Sequence, residues 1–379
     1  MIYIVTLIVC LFLVWKYDWH EDTRHKELWY YGLLTWFILL SGLQYFVGSD
    51  MEEYVIKYQM FDERFGIDMF ARGLQDRQQP GWVFLTWFCK LFTDDFLLMK
   101  IIQATFLNVA VFSFFKRETK YLFLCIFFYA FMDYLVLNFN TLRQSFSLAF
   151  GLYAISYLKN NKYLHCGLFI ALAVLFHNSA TILLLMPLAK LFRSNNMTVY
   201  ICFAVMAIGI YLLSRVDSAI VFNSIINSEV MGDENAFWAE FYLDDDRLGM
   251  QGGARISWHV LLVIVVVSYY IIRKENLFWG AFGMLYLFLL LSVSIAPILW
   301  RFRVYFDLPY FVMLAHAITE FPIKKFKYLK YTFYALALMV FMYFPMKDYF
   351  YHQPNDHFRY IDQYYPYHSI FDPKIEQRE

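Results

Sequence analysis

Charged side chains are scarce in this chain. Only 17% of its 379 residues are charged, whereas 60% are hydrophobic and 22% are aromatic. Such a composition, with repeated apolar runs that approach the thickness of a bilayer, is typical of a helical membrane protein. Basic and acidic residues both number 32, so the net charge is zero and no basic footprint for nucleic acid is present. We therefore predict an all-α, polytopic integral membrane protein.

Several chemical signatures are also missing. The five cysteines form no CxxC pair, which disfavours zinc and thiol-redox sites and leaves them as small core residues. The sequence has no Rossmann or P-loop glycine fingerprint and no tandem repeat, so no soluble nucleotide-binding domain is predicted. The first apolar run follows no basic residue and precedes no small-residue cleavage site, which favours an uncleaved first helix.

The apolar runs predict about 12 transmembrane helices in a single polytopic membrane domain, 1–379. The expected spans are 2–15, 28–47, 96–115, 121–138, 142–158, 163–176, 179–192, 197–214, 256–273, 277–299, 303–320 and 328–345.

Basic residues follow the odd-numbered spans. They are Lys16, Arg24, Lys26, Lys116, Arg117, Lys120, Lys159, Lys162, Lys190, Arg193, Arg273, Lys274, Lys324, Lys325, Lys327 and Lys330. Because short loops rich in lysine and arginine stay in the cytoplasm, both termini and the segments 48–95, 215–255 and 346–379 are predicted to lie outside. This parity requires that the short apolar run 82–92 does not cross the membrane, which suits a re-entrant or interfacial helix.

Three ionisable residues interrupt the apolar runs at the predicted outer face: Arg143, His177 and Arg301. Ionisable residues at such depth mark functional sites by default. Arg143 opens the fifth span, and Arg301 and Arg303 precede or open the eleventh. A guanidinium suits phosphate oxygens, although arginines can also serve as anchors that set helix depth. We interpret the group as an anion site.

Two residues are candidates for a general base. His177 lies between two apolar runs of about 14 residues, each covering only about 21 Å of a core about 30 Å thick, which suggests a recessed imidazole. The alternative is a histidine that caps the Asn178–Ser179 turn. Asp50, in an Asp-x-Glu pair with Glu52, could take a proton or bind a divalent metal, or could be an ordinary solvated acid.

Small residues follow Arg143 on the same helix face. Ser147 and Gly151 lie four and eight residues further along the predicted helix. They could admit a neighbouring helix or a substrate chain.

Several short motifs carry a resemblance to a known family. They are Gln44-Tyr45-Phe46-Val47-Gly48-Ser49-Asp50 with Tyr54, Gln79-Pro80-Gly81-Trp82, Leu142-Arg143-Gln144-Ser145 with Phe176-His177-Asn178-Ser179-Ala180, and Arg301 with Tyr305-Phe306. Over about 40–310 they resemble the EpsG family of polysaccharide polymerases, which is related to the Wzy O-antigen and capsule polymerases. Gln44 stands where that family often has arginine, and Gln79 where it often has glutamate. A cationic contact and a carboxylate would then come from elsewhere, for example from Arg303 and from Glu52 or Glu53.

The resemblance implies a GT-C-like glycosyltransferase of the bacterial cytoplasmic membrane whose active site faces outward. It would join undecaprenyl-pyrophosphate-linked oligosaccharide repeats, transferring the growing chain from its lipid pyrophosphate to a new repeat. Arg143, Arg301 and Arg303 would bind the pyrophosphate, and His177 or Asp50 would be the base. Secondary substrate contacts would come from Gln44, Glu52, Tyr54, Gln79, Gln144, Ser147 and Tyr305.

No cofactor is expected for this chemistry, with a divalent metal at Asp50-x-Glu52 left open. Beyond the lipid bilayer and the lipid-linked oligosaccharide, the partners that the resemblance suggests are a chain-length regulator and a flippase. Three alternatives share parts of the pattern. An O-antigen ligase-like transferase would use the same donor, a membrane O-acyltransferase would use His177 on an acyl donor, and a lipid-linked-oligosaccharide flippase would place charges along a cavity open to both sides.

Overall fold

A computed structural model describes residues 2–61, 65–76, 78–191, 258–273, 277–293, 300–320, 329–350 and 359–375. The α-helices in these ranges are α1 (Ile2–Leu13), α2 (Lys26–Gly42), α3 (Met51–Gln59), α4 (Ile67–Gln75), α5 (Pro80–Lys90), α6 (Leu97–Glu118), α7 (Leu122–Met132), α8 (Leu142–Lys159), α9 (Tyr163–Phe176), α10 (Leu188–Leu191), α11 (Trp258–Arg273), α12 (Leu277–Val293), α13 (Trp300–Glu320) and α14 (Lys330–Phe350). Two π-helical turns (Val14–Trp19 and Val136–Asn140) and two 3-10 segments (Asn178–Leu185 and Tyr360–Gln363) accompany them.

The described residues confirm the all-α class. Their one pairing of β type is an isolated antiparallel bridge between Gln44 and Ser369. Two helical stretches are long and apolar enough to cross a bilayer, Ile2–Trp19 and Leu97–Glu118. Shorter apolar helices cover Leu122–Met132, Tyr163–Phe176, Leu262–Ile271 and Phe278–Ser292. The number of membrane crossings stays a prediction.

Helices coincide with most of the predicted spans, but two spans are interrupted. The span 121–138 ends as an α-helix at Met132 and continues into the π turn Val136–Asn140. The span 179–192 is a 3-10 segment followed by the short α10, with Pro187 between them. Because proline lacks a backbone N–H and its ring clashes with the preceding turn, a continuous α-helix there was the wrong prediction. The span 197–214 and the outer segment 215–255 lie outside the described residues.

The helix α5 is 11 residues long, Pro80–Lys90. At about 1.5 Å per residue it is about 16 Å long, roughly half of a bilayer core. Its length therefore fits the short helix expected near 82–92.

The chain divides into two compact units, residues 1–183 with 314–379 and residues 184–313. In the first unit α8 packs against α9 and α6, α2 packs against α6, and α1 packs against α7. In the second unit α11 packs against α12. The candidate site described first below lies entirely in the first unit.

The predicted cytoplasmic loops meet at one end of the first unit. Three ion pairs link them there: Lys116 with Glu27 at 2.6 Å, Lys159 with Glu118 at 2.6 Å and Lys120 with Glu320 at 3.0 Å. Residues of the predicted outer segments meet at the other end, where the amide of Gly48 donates to the carbonyl of Gln363 at 3.1 Å. Loops that were predicted to share a side therefore lie together in this unit, while their orientation relative to a membrane stays a prediction.

A buried polar network holds the turn before α8. Lys100 is 1% exposed, and its ammonium donates to the carbonyl of Asn138 and, at 2.9 Å, to Oε1 of Gln103. Gln103 in turn donates to Oγ of Ser145 at 2.7 Å. Because buried polar groups are costly when unpaired, this network favours one arrangement of α6, the π turn and α8.

Candidate active site

A small cavity lies at the predicted outer end of the first unit. We call it the Asp50–Arg143 cavity; its volume is about 40 Å³, and its lining residues are Asp50, Glu53, Tyr54, Lys57, Gln78, Trp82 and Arg143. Four of these residues, Asp50, Glu53, Tyr54 and Lys57, have the spacing i, i+3, i+4, i+7 along α3 and the residue before it. That spacing places them on one helix face, which therefore presents two carboxylates, a phenol and an ammonium to the cavity.

Arg143 brings a cation to the cavity from the first turn of α8. Its Nη1 donates to Oε1 of Gln79 at 3.3 Å. Tyr54 lies beside Arg143, and its ring lies 5.5 Å from that of Trp82. Burial raises the pKa of Tyr54 and the nearby guanidinium of Arg143 opposes that shift.

The Gln79-Pro80-Gly81-Trp82 motif has a local structural explanation. Gln79 is extended and precedes α5, and Pro80 occupies the first turn, where its missing N–H costs nothing. A Cβ at Gly81 would lie 2.8 Å from the carbonyl of Leu175, so only glycine lets α5 approach the end of α9 this closely. Trp82 then enters a buried core with Met51, Tyr58, Cys89, Phe96, Met99, Leu142 and Phe146. This core fixes α3, α5, α6 and α8 around the cavity.

The two halves of the strongest sequence match lie against each other. Gln144 donates to Oγ of Ser179 at 3.3 Å, and that oxygen lies 2.6 Å from Nδ1 of His177. The backbone N–H of Ser179 also donates to Nδ1 of His177, at 3.2 Å. Nδ1 is therefore the acceptor nitrogen, and a neutral ring carries its proton on Nε2. His177 therefore caps the Asn178–Ser179 turn, which is the alternative to a role as catalytic base.

His177 is not among the residues that line the Asp50–Arg143 cavity. A base must have a free lone pair directed at the proton it removes. In the present arrangement the lone pair of Nδ1 is directed at a backbone amide, so Asp50 is the candidate base that the geometry favours.

The loop that carries Asp50 is held by the C-terminal segment, residues 359–375. The amide of Gly48 donates to the carbonyl of Gln363 at 3.1 Å. The side-chain amide of Asn140 donates to Oε1 of Gln363 at 3.1 Å and to the hydroxyl of Tyr364 at 3.0 Å. Asn140 precedes Arg143 by three residues, so one short segment binds both turns that supply the cavity.

Gly48 itself permits this contact. Its φ is +105°, and a Cβ there would lie 2.5 Å from Oδ1 of Asn140 and 2.5 Å from the carbonyl of Phe139. Only glycine satisfies both the backbone conformation and the space.

Other predicted site residues have structural contacts. Gln44 is buried, accepts the amide of Val47 at 2.7 Å and donates to the sulfur of Met51 at 3.3 Å, so it shapes the turn before α3. Ser147 is buried and donates to the carbonyl of Ala173 on α9 at 2.8 Å. Of the two roles considered for Ser147, it therefore contacts a neighbouring helix. Glu52 is exposed and does not line the cavity, whereas Glu53 does. Among the described residues no group of three metal-ligating side chains occurs.

Arg301, Arg303 and Tyr305 belong to the second unit. Nε of Arg303 donates to the buried carboxylate of Asp307 at 2.9 Å, and the hydroxyl of Tyr286 donates to the same carboxylate. Tyr305 is buried, and Arg301 is exposed. Arg303 is therefore engaged in an ion pair within its unit, while the expected convergence of Arg143 and Arg301 stays a prediction.

Sequence reasoning missed Lys57, Gln78 and the anchoring role of the C-terminal segment. The first could have been found from the helical spacing Asp50, Glu53, Tyr54, Lys57. The hydrogen bonds of Gln363 and Tyr364 could not, since they join residues more than 220 positions apart.

Comparison with protein families places this chain among membrane proteins of polysaccharide biosynthesis. The chain belongs to the EpsG family, whose model matches residues 27–369. This membership indicates a polymerase-type role that uses a lipid-linked saccharide. Searches of curated proteins and of solved structures give no match.

Proposed function

We propose that this chain is a polysaccharide polymerase that joins undecaprenyl-pyrophosphate-linked oligosaccharide repeats at the outer face of the bacterial cytoplasmic membrane. The observation that carries the proposal is the pairing of Asp50 and Arg143 in one cavity. A carboxylate can take the proton of an attacking hydroxyl, and a guanidinium can stabilise the charge of a departing pyrophosphate. Membership in the EpsG family supports the same class of reaction.

In the proposed reaction the acceptor hydroxyl attacks the anomeric carbon of the donor chain. Asp50 takes the hydroxyl proton as the new carbon–oxygen bond forms. The bond from the anomeric carbon to the lipid pyrophosphate breaks, and Arg143 stabilises the negative charge on the leaving oxygen. Gln79 holds the guanidinium in place through its hydrogen bond, and Tyr54 lies beside it in the cavity.

The remaining predicted residues take supporting roles in this proposal. Arg301 would contribute a second cation to the lipid pyrophosphate, and His177 with Ser179 and Gln144 would position the start of α8. Arg303, bound to Asp307, would position α13 rather than touch the substrate. The proposal needs no nucleotide sugar, because the activated sugar arrives on its lipid.

The proposed architecture is a single GT-C-like membrane domain with about 12 transmembrane helices and outer segments 48–95, 215–255 and 346–379. It is supported by the two long apolar helices and by the separation of basic loops and cavity residues to opposite ends of the first unit.

The experiment that tests the function supplies the purified full chain, in lipid nanodiscs, with only the lipid-linked oligosaccharide extracted from the producing cell. A ladder of products that lengthens by one repeat at a time supports the polymerase. Arg143→Ala should lower its rate by about 100-fold or more, since charge stabilisation of a leaving group is worth that much. Arg24→Ala, an exposed arginine at the other end of the first unit, is the matched control. A single transfer to another lipid or protein would contradict the proposal and favour a ligase.

A further inference from the structure

A larger groove adjoins the Asp50–Arg143 cavity. Its volume is about 420 Å³, within the range of about 300–1,000 Å³ that small-molecule sites occupy. Lys57, Met60, Met69, Arg72, Gln75 and Gln78 are among the side chains that line it. Lys57 and Gln78 line both the groove and the cavity, so the two spaces are neighbours.

Gln78 lies between the groove and the Asp50–Arg143 cavity. The residue is only 7% exposed, and its backbone N–H donates to the carbonyl of Gly73 at 2.7 Å. Its side-chain amide makes no hydrogen bond to any part of the chain that the structure describes. This amide therefore has two donors and an acceptor available for a ligand in the groove.

The groove walls match the chemistry of a sugar. Amide and guanidinium groups from Gln75, Gln78 and Arg72 can pair with hydroxyl groups, and the apolar side chains of Met60 and Met69 can cover the carbon face of a ring. The polar groups make the groove a poor site for an isoprenoid chain, because hydrocarbon would leave them without hydrogen bonds.

We propose that this groove binds the non-reducing end of the acceptor oligosaccharide, with the amide of Gln78 hydrogen-bonding a sugar hydroxyl next to the reacting one. The groove adjoins the cavity that Asp50 lines, so an acceptor bound there would hold its terminal hydroxyl on the side of the carboxylate. This assignment of substrate to groove rests on the proposed function.

The test uses Gln78→Leu, which removes the polar atoms and leaves an apolar side chain that is one bond shorter. Gln59→Leu, at an exposed position at the end of α3, is the matched control. The acceptor probe is the oligosaccharide released from its lipid by mild acid, and the donor is the intact lipid-linked oligosaccharide. We expect Gln78→Leu to raise the half-saturating acceptor concentration about tenfold, the value of one hydrogen bond, and to leave that of the donor within about twofold.

A binding measurement separates this proposal from the proposed function. Saturation-transfer NMR of the released oligosaccharide should give a signal with the wild type and with Gln59→Leu, and a weakened signal with Gln78→Leu. If these binding signals were observed but no polymer formed, the assignment of the groove would stand and the proposed polymerase function would be wrong. Polymer formation with equal acceptor saturation in both variants would overturn the groove. A change confined to donor saturation would overturn the acceptor assignment.

Discussion

Arg143 and Gln79 are joined by a hydrogen bond of 3.3 Å from the guanidinium Nη1 to the amide Oε1. This bond connects the start of α8 to the residue before α5. An amide oxygen and a carboxylate oxygen can both accept this N–H, so a glutamine at position 79 can hold the guanidinium as a glutamate would.

The first prediction concerns this acceptor. Gln79→Ala removes it and should lower the rate of polymer formation by about tenfold, since a hydrogen bond to a charged group contributes about 1.5–3 kcal/mol. Gln79→Glu should retain most of the activity because its carboxylate can accept from Arg143. The rates are measured from the product ladder. Equal losses in both variants would show that orientation of Arg143 is not the role of residue 79.

The second prediction concerns the base. Asp50→Asn keeps the size of the side chain and removes its capacity to take a proton, so the turnover number should fall by about 100-fold to 10,000-fold with little change in donor saturation. Glu52→Gln, on the same segment but outside the cavity, is the control and should behave like the wild type. A loss of similar size in Glu52→Gln would show that Asp50 had been wrongly assigned as the base.

The third prediction separates capping by His177 from catalysis. In His177→Asn the side-chain oxygen can accept the amide of Ser179 in place of Nδ1, so activity and its pH profile should be kept. His177→Ala should lose about 1 kcal/mol of stability, as a lost helix-terminal cap does. Thermal unfolding in detergent and the pH–rate profile are the measurements. An inactive but stably folded His177→Asn protein would return His177 to the role of base.

The fourth prediction concerns the contact between Gly48 and Asn140. Gly48→Ala introduces a Cβ that would lie 2.5 Å from Oδ1 of Asn140, at a φ of +105°. We expect a loss of about 1–3 kcal/mol in stability, with a fall in activity as the Asp50 turn shifts. Gly167→Ala is the control, since nothing lies within 4 Å of its added Cβ. An unchanged melting temperature in Gly48→Ala would argue against this packing.

The fifth prediction concerns orientation. A cysteine at Ser49 should react with a membrane-impermeant maleimide on intact cells, and a cysteine at Asn161 should react only after the cells are opened. Both positions are exposed, and the described native cysteines Cys10, Cys89, Cys125 and Cys166 are buried. The reverse pattern of labelling would invert the topology and move the proposed site to the cytoplasm.

Much of the fold could be predicted because it follows from local properties. Apolar runs predicted helices where α6, α8 and α9 occur, and the basic loops predicted which ends of the helices lie together. The interruption near Pro187 shows the limit of this approach, since hydropathy averages over a window and does not register a single missing N–H.

The candidate site was predicted only in part. Arg143, Asp50, Tyr54 and Gln79 were identified from motif and charge, and they lie together. His177 was expected to be a recessed base, but its acceptor nitrogen faces the amide of Ser179. Gln78 was not predicted as a site residue. Whether its amide has a hydrogen-bond partner depends on the positions of all neighbouring donors and acceptors, which the sequence does not give.

By itself the sequence determined the helical class, the placement of most helices and the identity of a cation and a carboxylate suited to pyrophosphate chemistry. These follow from hydrophobic patterning and from side-chain chemistry, which are properties of short stretches of chain. Only the tertiary structure decided that Arg143 shares a cavity with Asp50 and that Gln363 and Tyr364 fasten the turns on either side of it. Those relationships depend on the close packing of residues distant in sequence, which local patterns do not specify.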